Sequence, residues 1–143
     1  MRVAVSSWMA LCAIYAIICL PGTAQELKRY PGAQFDEKVS RQASQAAPGR
    51  QSEVYTTTDT FESVYAFYKR LYKEYTMHMA PPPLPSGKKL QWAFFLLDGG
   101  KSISDSKYWL KIQRPYVGTV ADDANADFQD IRDMTAIQTV RRK

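Results

Sequence analysis

Residues 61–75 read FESVYAFYKRLYKEY, and the fold turns on how this stretch is read. Phe61, Val64, Tyr65, Phe67, Tyr68, Leu71, Tyr72 and Tyr75 are apolar or aromatic. All but Phe67 recur at the i, i+3, i+4, i+7 spacing that places side chains on one face of a helix. Glu62, Lys69, Arg70, Lys73 and Glu74 fall on the other side. Asp59 can cap the start, with Glu62 three residues later completing an acidic capping box. The run Pro81-Pro82-Pro83-Leu84-Pro85 must stop any helix, because proline lacks the amide donor and clashes with the preceding turn. The spacing predicts one long amphipathic helix over 60–77, whose aromatic stripe requires a sheet to cover it.

Strand signals flank this helix. On the N-terminal side, 52–58 (SEVYTTT) is β-branched and aromatic and reads as a strand. Residues 34–39 read as a short strand, and 40–51 (SRQASQAAPGRQ) as a small, polar loop broken by Pro-Gly. On the C-terminal side, 90–97 (LQWAFFLL) is apolar on both faces and ends in the turn signal Asp98-Gly99-Gly100. Residues 107–113 alternate, with Tyr108, Leu110 and Ile112 on one side and Lys107, Trp109, Lys111 and Gln113 on the other. These two runs predict a hairpin with a long tip. Residues 115–127 read as irregular and acidic. Residues 134–140 read as the last strand, with Thr135, Ile137 and Thr139 on one face, and Arg141-Arg142-Lys143 as a solvated end. The expected class is α+β: one long amphipathic helix on a mainly antiparallel sheet, in the order β-β-α-β-β-β. Trp92, Phe94, Tyr108 and Ile112 are the expected sheet face beneath the helix.

The first 24 residues read as a secretory signal peptide. Arg2 gives a short positive start, 3–20 is uncharged and mostly apolar, Pro21-Gly22 breaks it, and Gly-Thr-Ala ends at Ala24. A retained membrane anchor is the rival reading, and about 18 apolar residues is the lower limit for spanning a bilayer. Cutting after Ala24 removes both cysteines, Cys12 and Cys19, and with them disulfide, thiolate-metal and thiol chemistry. It also removes Arg2, leaving 18 basic against 14 acidic residues, a net +4. That excess is too small and too interleaved to argue nucleic-acid binding. The only asparagine, Asn125, precedes Ala-Asp, so no N-glycosylation acceptor exists. The expected organisation is a signal peptide over 1–24, a polar segment with a short strand over 25–51, and an α+β core domain over 52–143. The mature form is expected to have no stable membrane insertion.

Tyr30-Pro31-Gly32-Ala33, then Thr58-Asp59, then Val64-x-x-Phe67-Tyr68 and a closing Thr135-Ala136-Ile137 resemble a loose group of small exported bacterial proteins. These carry a YPGA segment followed by a T-D-x-x-x-x-V-x-x-F-Y helix start. The resemblance spans about half of the mature chain. It implies an exported, periplasmic or extracellular location and supplies no catalytic residues. Many members of that group are lipid-anchored. This chain departs from them, since Cys19 follows Ala16-Ile17-Ile18 and Cys12 lies inside the apolar run.

Few residues suggest chemistry. His78 is the only histidine, placed where the helix gives way to the prolines, with no partner at motif spacing. Asp123-x-Asn125-x-Asp127 starts like a calcium loop, with Asp122, Asp130 and Asp133 adding charge. Phe128 then stands where the turn glycine belongs and Met134 where the bidentate glutamate belongs. Residues 81–85 read as a stiff spacer rather than a polyproline ligand. Gly99-Gly100-Lys101-Ser102 echoes a phosphate loop without its glycine spacing or following helix. Trp92, Phe94, Phe95, Tyr108 and Trp109 are core aromatics or, if exposed together, a stacking platform. No catalytic, cofactor-binding or metal residues are assigned, and no cofactor is expected. The expected function is a non-enzymatic binding module, with an envelope protein as its partner. The alternatives are a small-ligand carrier or enzyme using a cleft between sheet and loops, and a structural component of an envelope complex.

Overall fold

In the computed structural model, which describes residues 26–119 and 128–143, the tyrosine-rich stretch begins as a helix and ends as a strand. The elements are β1 (Gln34–Phe35), α1 (Glu37–Ala46), β2 (Arg50–Thr57), α2 (Phe61–Lys69), β3 (Lys73–Tyr75) and β4 (Gln91–Leu96). They continue with β5 (Tyr108–Arg114), β6 (Tyr116–Thr119), β7 (Phe128–Arg132) and β8 (Thr135–Arg142). The class is α+β with antiparallel pairing, as expected. The single long helix and the order β-β-α-β-β-β are not what forms: two short helices alternate with the first strands, and six strands follow.

The long helix fails at Arg70. Thr60, not Asp59, caps α2, its hydroxyl accepting from the Ser63 amide. At the other end the Tyr68 carbonyl accepts from both Leu71 (3.0 Å) and Tyr72 (2.9 Å) amides, which tightens the last turn. The chain then pairs Lys73–Tyr75 with Phe94–Leu96 of β4. Strand pairing satisfies backbone groups along β4 that a continued helix would leave open, and tyrosine suits a strand. Tyr72 keeps the helical spacing because it still points into the core that Tyr68 fills. The Tyr68 and Tyr72 hydroxyls then hold the N-terminal segment, accepting from the amides of Tyr30 and Lys28.

The second departure is α1, where a loop was expected. Asp36 caps it through the Val39 amide (3.0 Å), and most of its residues are good helix formers. Its apolar residues are few, mainly Val39 and Ala43, so the periodic signal is faint. Ser40 and Ser44, one turn apart, face the edge of β2. Ser40 Oγ accepts from the Val54 amide (2.8 Å), and Ser44 Oγ accepts from the Ser52 amide (2.9 Å) while donating to the Ser52 carbonyl (3.2 Å). Beyond the two-residue β1, helix side chains therefore close this sheet edge. Ser40→Ala should strand the buried Val54 amide and cost about 1–2 kcal/mol. Chemical denaturation would read that loss, and faster hydrogen exchange at Val54 would locate it.

The main sheet runs β1-β2-β8-β5-β4-β3, every neighbouring pair antiparallel. β8 runs on through Arg141 and Arg142; Arg141 and Lys143 are exposed, as a solvated end requires, while the two guanidiniums lie over the rings of Tyr108 and Trp109. The stretch read as irregular instead supplies β6, which pairs with β7 across a bulge at Val117/Gly118. Asp130, at φ 60°, is the extra residue there, a left-handed conformation that aspartate tolerates.

The sheet is apolar on both faces. On the first, α2 packs Val64 and Tyr68 against Phe95, Leu97, Leu110, Ile112 and Ile137. Trp92 and Phe94, expected beneath this helix, lie on the opposite face. Strand alternation puts Ala93 and Phe95 under α2, opposite Ile112 and Leu110. No helix among the described residues is long and apolar enough to cross a membrane. The signal-peptide segment lies outside the described residues.

Candidate functional site

The second face is where polar groups meet apolar ones. Three cross-strand rows form it. Trp92, Gln113 and Ala136 align in one row and Phe94, Lys111, Gln138 and Val54 in the next, followed by Leu96, Trp109, Val140 and Ser52. The third row and Phe94 are covered by Tyr75, Met77 and Ile103. The rest of the first two rows forms the floor of a cleft of about 390 Å³, within the range of small-molecule sites.

The walls come from elements that sequence reading treated as irregular. α1 lays Val39 and Ala43 along one side, against Val54, Ala136 and Tyr116. β6 supplies Tyr116, Val117 and Gly118 on the other side. The connection between β3 and β4 adds Pro82 and Leu90. It is anchored by buried Leu84, which packs with Leu90 and Val117, so the proline run serves as a shaped wall. Arg132 ties the walls together. Its guanidinium lies 4.6 Å from the Tyr116 ring centroid and pairs with Asp36, the N-cap of α1, at 3.3 Å.

Lys111 is the ionisable cation lining the cleft. Its amine lies 5.9 Å from the Trp92 ring centroid. Burial alone pulls its pKa down to about 8, with no neighbouring charge contributing. Gln138 is the cross-strand neighbour of Lys111 and Gln113 follows it by two residues on β5, both lining the cleft; their amides donate to Ser52 Oγ (3.3 Å) and the Pro115 carbonyl (3.4 Å). Tyr116 is the cleft's other titratable group. Burial pushes its phenol up, against the pull of Arg132, which keeps it neutral near pH 7.

The other residues singled out in the sequence, Trp92 apart, lie outside the cleft that Pro82 helps to wall. His78 is exposed, its ring edge-on to Tyr75 at 6.5 Å, and does not line the cleft. Asp122, Asp123, Asn125 and Asp127 lie outside the described residues. Asp130 and Asp133 are engaged by Arg132 (2.8 Å) and Arg114 (3.1 Å). Among the described residues no cluster of three or more His, Cys, Asp or Glu is placed to hold a metal. Gly99 and Gly100 shape the β4–β5 tip. Phe94, Phe95, Tyr108 and Trp109 are buried, which removes the flat stacking platform. Trp92 is the exception: half-buried, it lines the cleft.

Lys111 had a readable signal. It stands between Trp109 and Gln113 on the face opposite Leu110 and Ile112. With α1 read as a loop, that face looked open to water, where a lysine needs no explanation. The chain matches no protein-family model, no curated protein and no solved structure.

Proposed function

We propose that the mature domain is an exported, non-enzymatic binding module that holds a small amphipathic molecule in the cleft beneath α1, in the periplasm or outside the cell. The observation that carries this reading is the convergence of Lys111, Gln113 and Gln138, with Gln42 and Tyr116 at the walls, within a recess whose other lining residues are apolar. Such recesses, with a few polar groups in an apolar lining, are the usual form of small-molecule sites. The export half of the proposal rests on the apolar 3–20 segment, its Ala24 cut and the likeness to exported bacterial proteins. A strand-adding partner is disfavoured at the β1–β2 edge, where Ser40 and Ser44 already occupy the backbone groups.

The test is direct. The full chain is expressed with its own leader, the exported product is purified gently, and native mass spectrometry looks for a non-covalent small-molecule mass. In parallel, 2-acetylnaphthalene is titrated while tryptophan emission is followed, since Trp92 lines the cleft. Saturable quenching is expected in the wild type. Ala43→Trp, which fills the α1 side of the recess, should weaken it at least about tenfold while the circular dichroism stays unchanged. No bound mass and no saturable quenching would defeat the cleft reading. A mature product that retains residues 1–24 would defeat the processing half.

A further inference from the structure

Resting on that reading, we infer that the cleft selects an organic carboxylate: a monoanionic head at Lys111 and a compact apolar body against Trp92, Val54 and Val117.

The charge balance of the recess carries the argument. Lys111 stands in the second row of this face, between Phe94 on β4 and Gln138 on β8. Among the described lining residues it is the one cation, and there is no carboxylate. A cation drawn into apolar surroundings is costly unless it meets an anion or strong acceptors. Lys111 is half-buried, so its amine opens into the recess, and the Trp92 ring at 5.9 Å answers only part of that need. An incoming carboxylate meets the rest. It pairs with the amine, and the neighbouring Gln113 and Gln138 amides can each turn an N–H toward its second oxygen.

The same features argue against other anions. A phosphate dianion is usually met by arginine forks or by a helix N-terminus. No arginine is among the described lining residues, and the N-terminus of α1 is already capped by Asp36. The volume of about 390 Å³ suits a small molecule.

The charge also sets a pH dependence. Tyr116 on β6 is the other titratable group facing the recess, and α1, β2, β4, β8 and the proline segment present none among their described lining residues. With Lys111 titrating at about 8, the ammonium is present below that pH and lost above it. Carboxylate affinity should be full at pH 6–7 and decline as pH rises past 8. The decline should level off once the amine in the complex has also lost its proton.

The experiment compares 2-naphthoate with its neutral isostere 2-acetylnaphthalene, by calorimetry, on the mature protein, Lys111→Met and Lys111→Arg. At pH 7 the wild type should bind naphthoate about tenfold or more tighter than the ketone. Lys111→Met should erase that preference, read as the ratio of the two affinities within the variant. Lys111→Arg should keep a preference, because it keeps the charge. The wild-type preference should shrink at pH 9.5, an arm that needs no variant to fold. Equal binding of the two probes, or a preference that survives in Lys111→Met, overturns the carboxylate inference and leaves the cleft reading standing. Binding of neither probe overturns both.

Discussion

Phe95→Ala should lower the unfolding free energy of the mature domain by about 3–5 kcal/mol. Phe95 is fully buried on β4, directly opposite Leu110 on β5. Its ring meets those of Tyr65 and Tyr68 on α2 at 6.0 and 6.3 Å between centroids. Truncation removes the ring's transfer free energy and opens a cavity between helix and sheet. Little can collapse into it: α2 is held by Tyr68 and Val64, both fully buried, and the sheet behind is braced by Leu110 and Ile112. A domain of this size is stable by only about 5–15 kcal/mol, so the loss is a large fraction of the total. Guanidinium unfolding should show a lower midpoint with the slope unchanged. If Phe95→Ala does not fold, Phe95→Leu should still report a loss of about 1 kcal/mol or more. A loss below about 0.5 kcal/mol in both variants would mean that α2 does not pack where β4 places it.

Much of the fold was legible because strands announce themselves through alternation. Tyr108, Leu110 and Ile112 lie on one face, and Lys111 and Gln113 on the other, as the period of two requires. The β4–β5 hairpin was readable for the same reason. The tyrosine stretch misled because helical spacing records which side chains reach a common core. Tyr72 reaches it from the turn after α2 as well as it would from a longer helix. Nothing in Lys73, Glu74 or Tyr75 signals a stop; the unpaired edge of β4, distant in sequence, supplies the reason to leave the helix. α1 was missed for the opposite reason. Its role is to close an edge and wall a cleft through serines and small residues, so it needs almost no apolar stripe. That miss hid the site. Lys111, Gln113 and Gln138 become unusual only once a helix covers the face they share.

Asp98→Asn should cost about 1–2 kcal/mol at pH 7, less than Asp98→Ala, and should flatten the acid limb of the stability curve. Asp98 follows β4 and gathers the whole β4–β5 tip. Its Oδ1 accepts from Ser106 Oγ (2.7 Å) and the Gly100 amide (3.2 Å), and its Oδ2 from the Lys107 (2.6 Å) and Tyr108 (3.1 Å) amides. The three amides can only donate, whereas the Ser106 hydroxyl, which also reaches the Tyr108 carbonyl (2.9 Å), can turn to accept, so an asparagine opposes at least one amide whichever way it flips. The backbones are too close to relax freely: a Cβ at Gly100 would lie 3.1 Å from the Ser106 Cα. The outer side of the carboxylate faces water, which keeps the loss well below four full charged hydrogen bonds. Burial pushes this carboxyl up, but the hydrogen bonds from Ser106, Lys107, Gly100 and Tyr108 outweigh it and hold it below its ordinary 3.8. A depressed folded-state value means that the stabilisation is present above the unfolded pKa and is lost as pH falls through the folded one. The wild-type advantage over Asp98→Asn should therefore be constant above about pH 5 and shrink steadily below pH 4. Urea midpoints taken from pH 7 down to pH 2 would follow it. A gap that stays the same across that range would mean that the tip is held by shape and backbone turns, with the Asp98 charge contributing nothing.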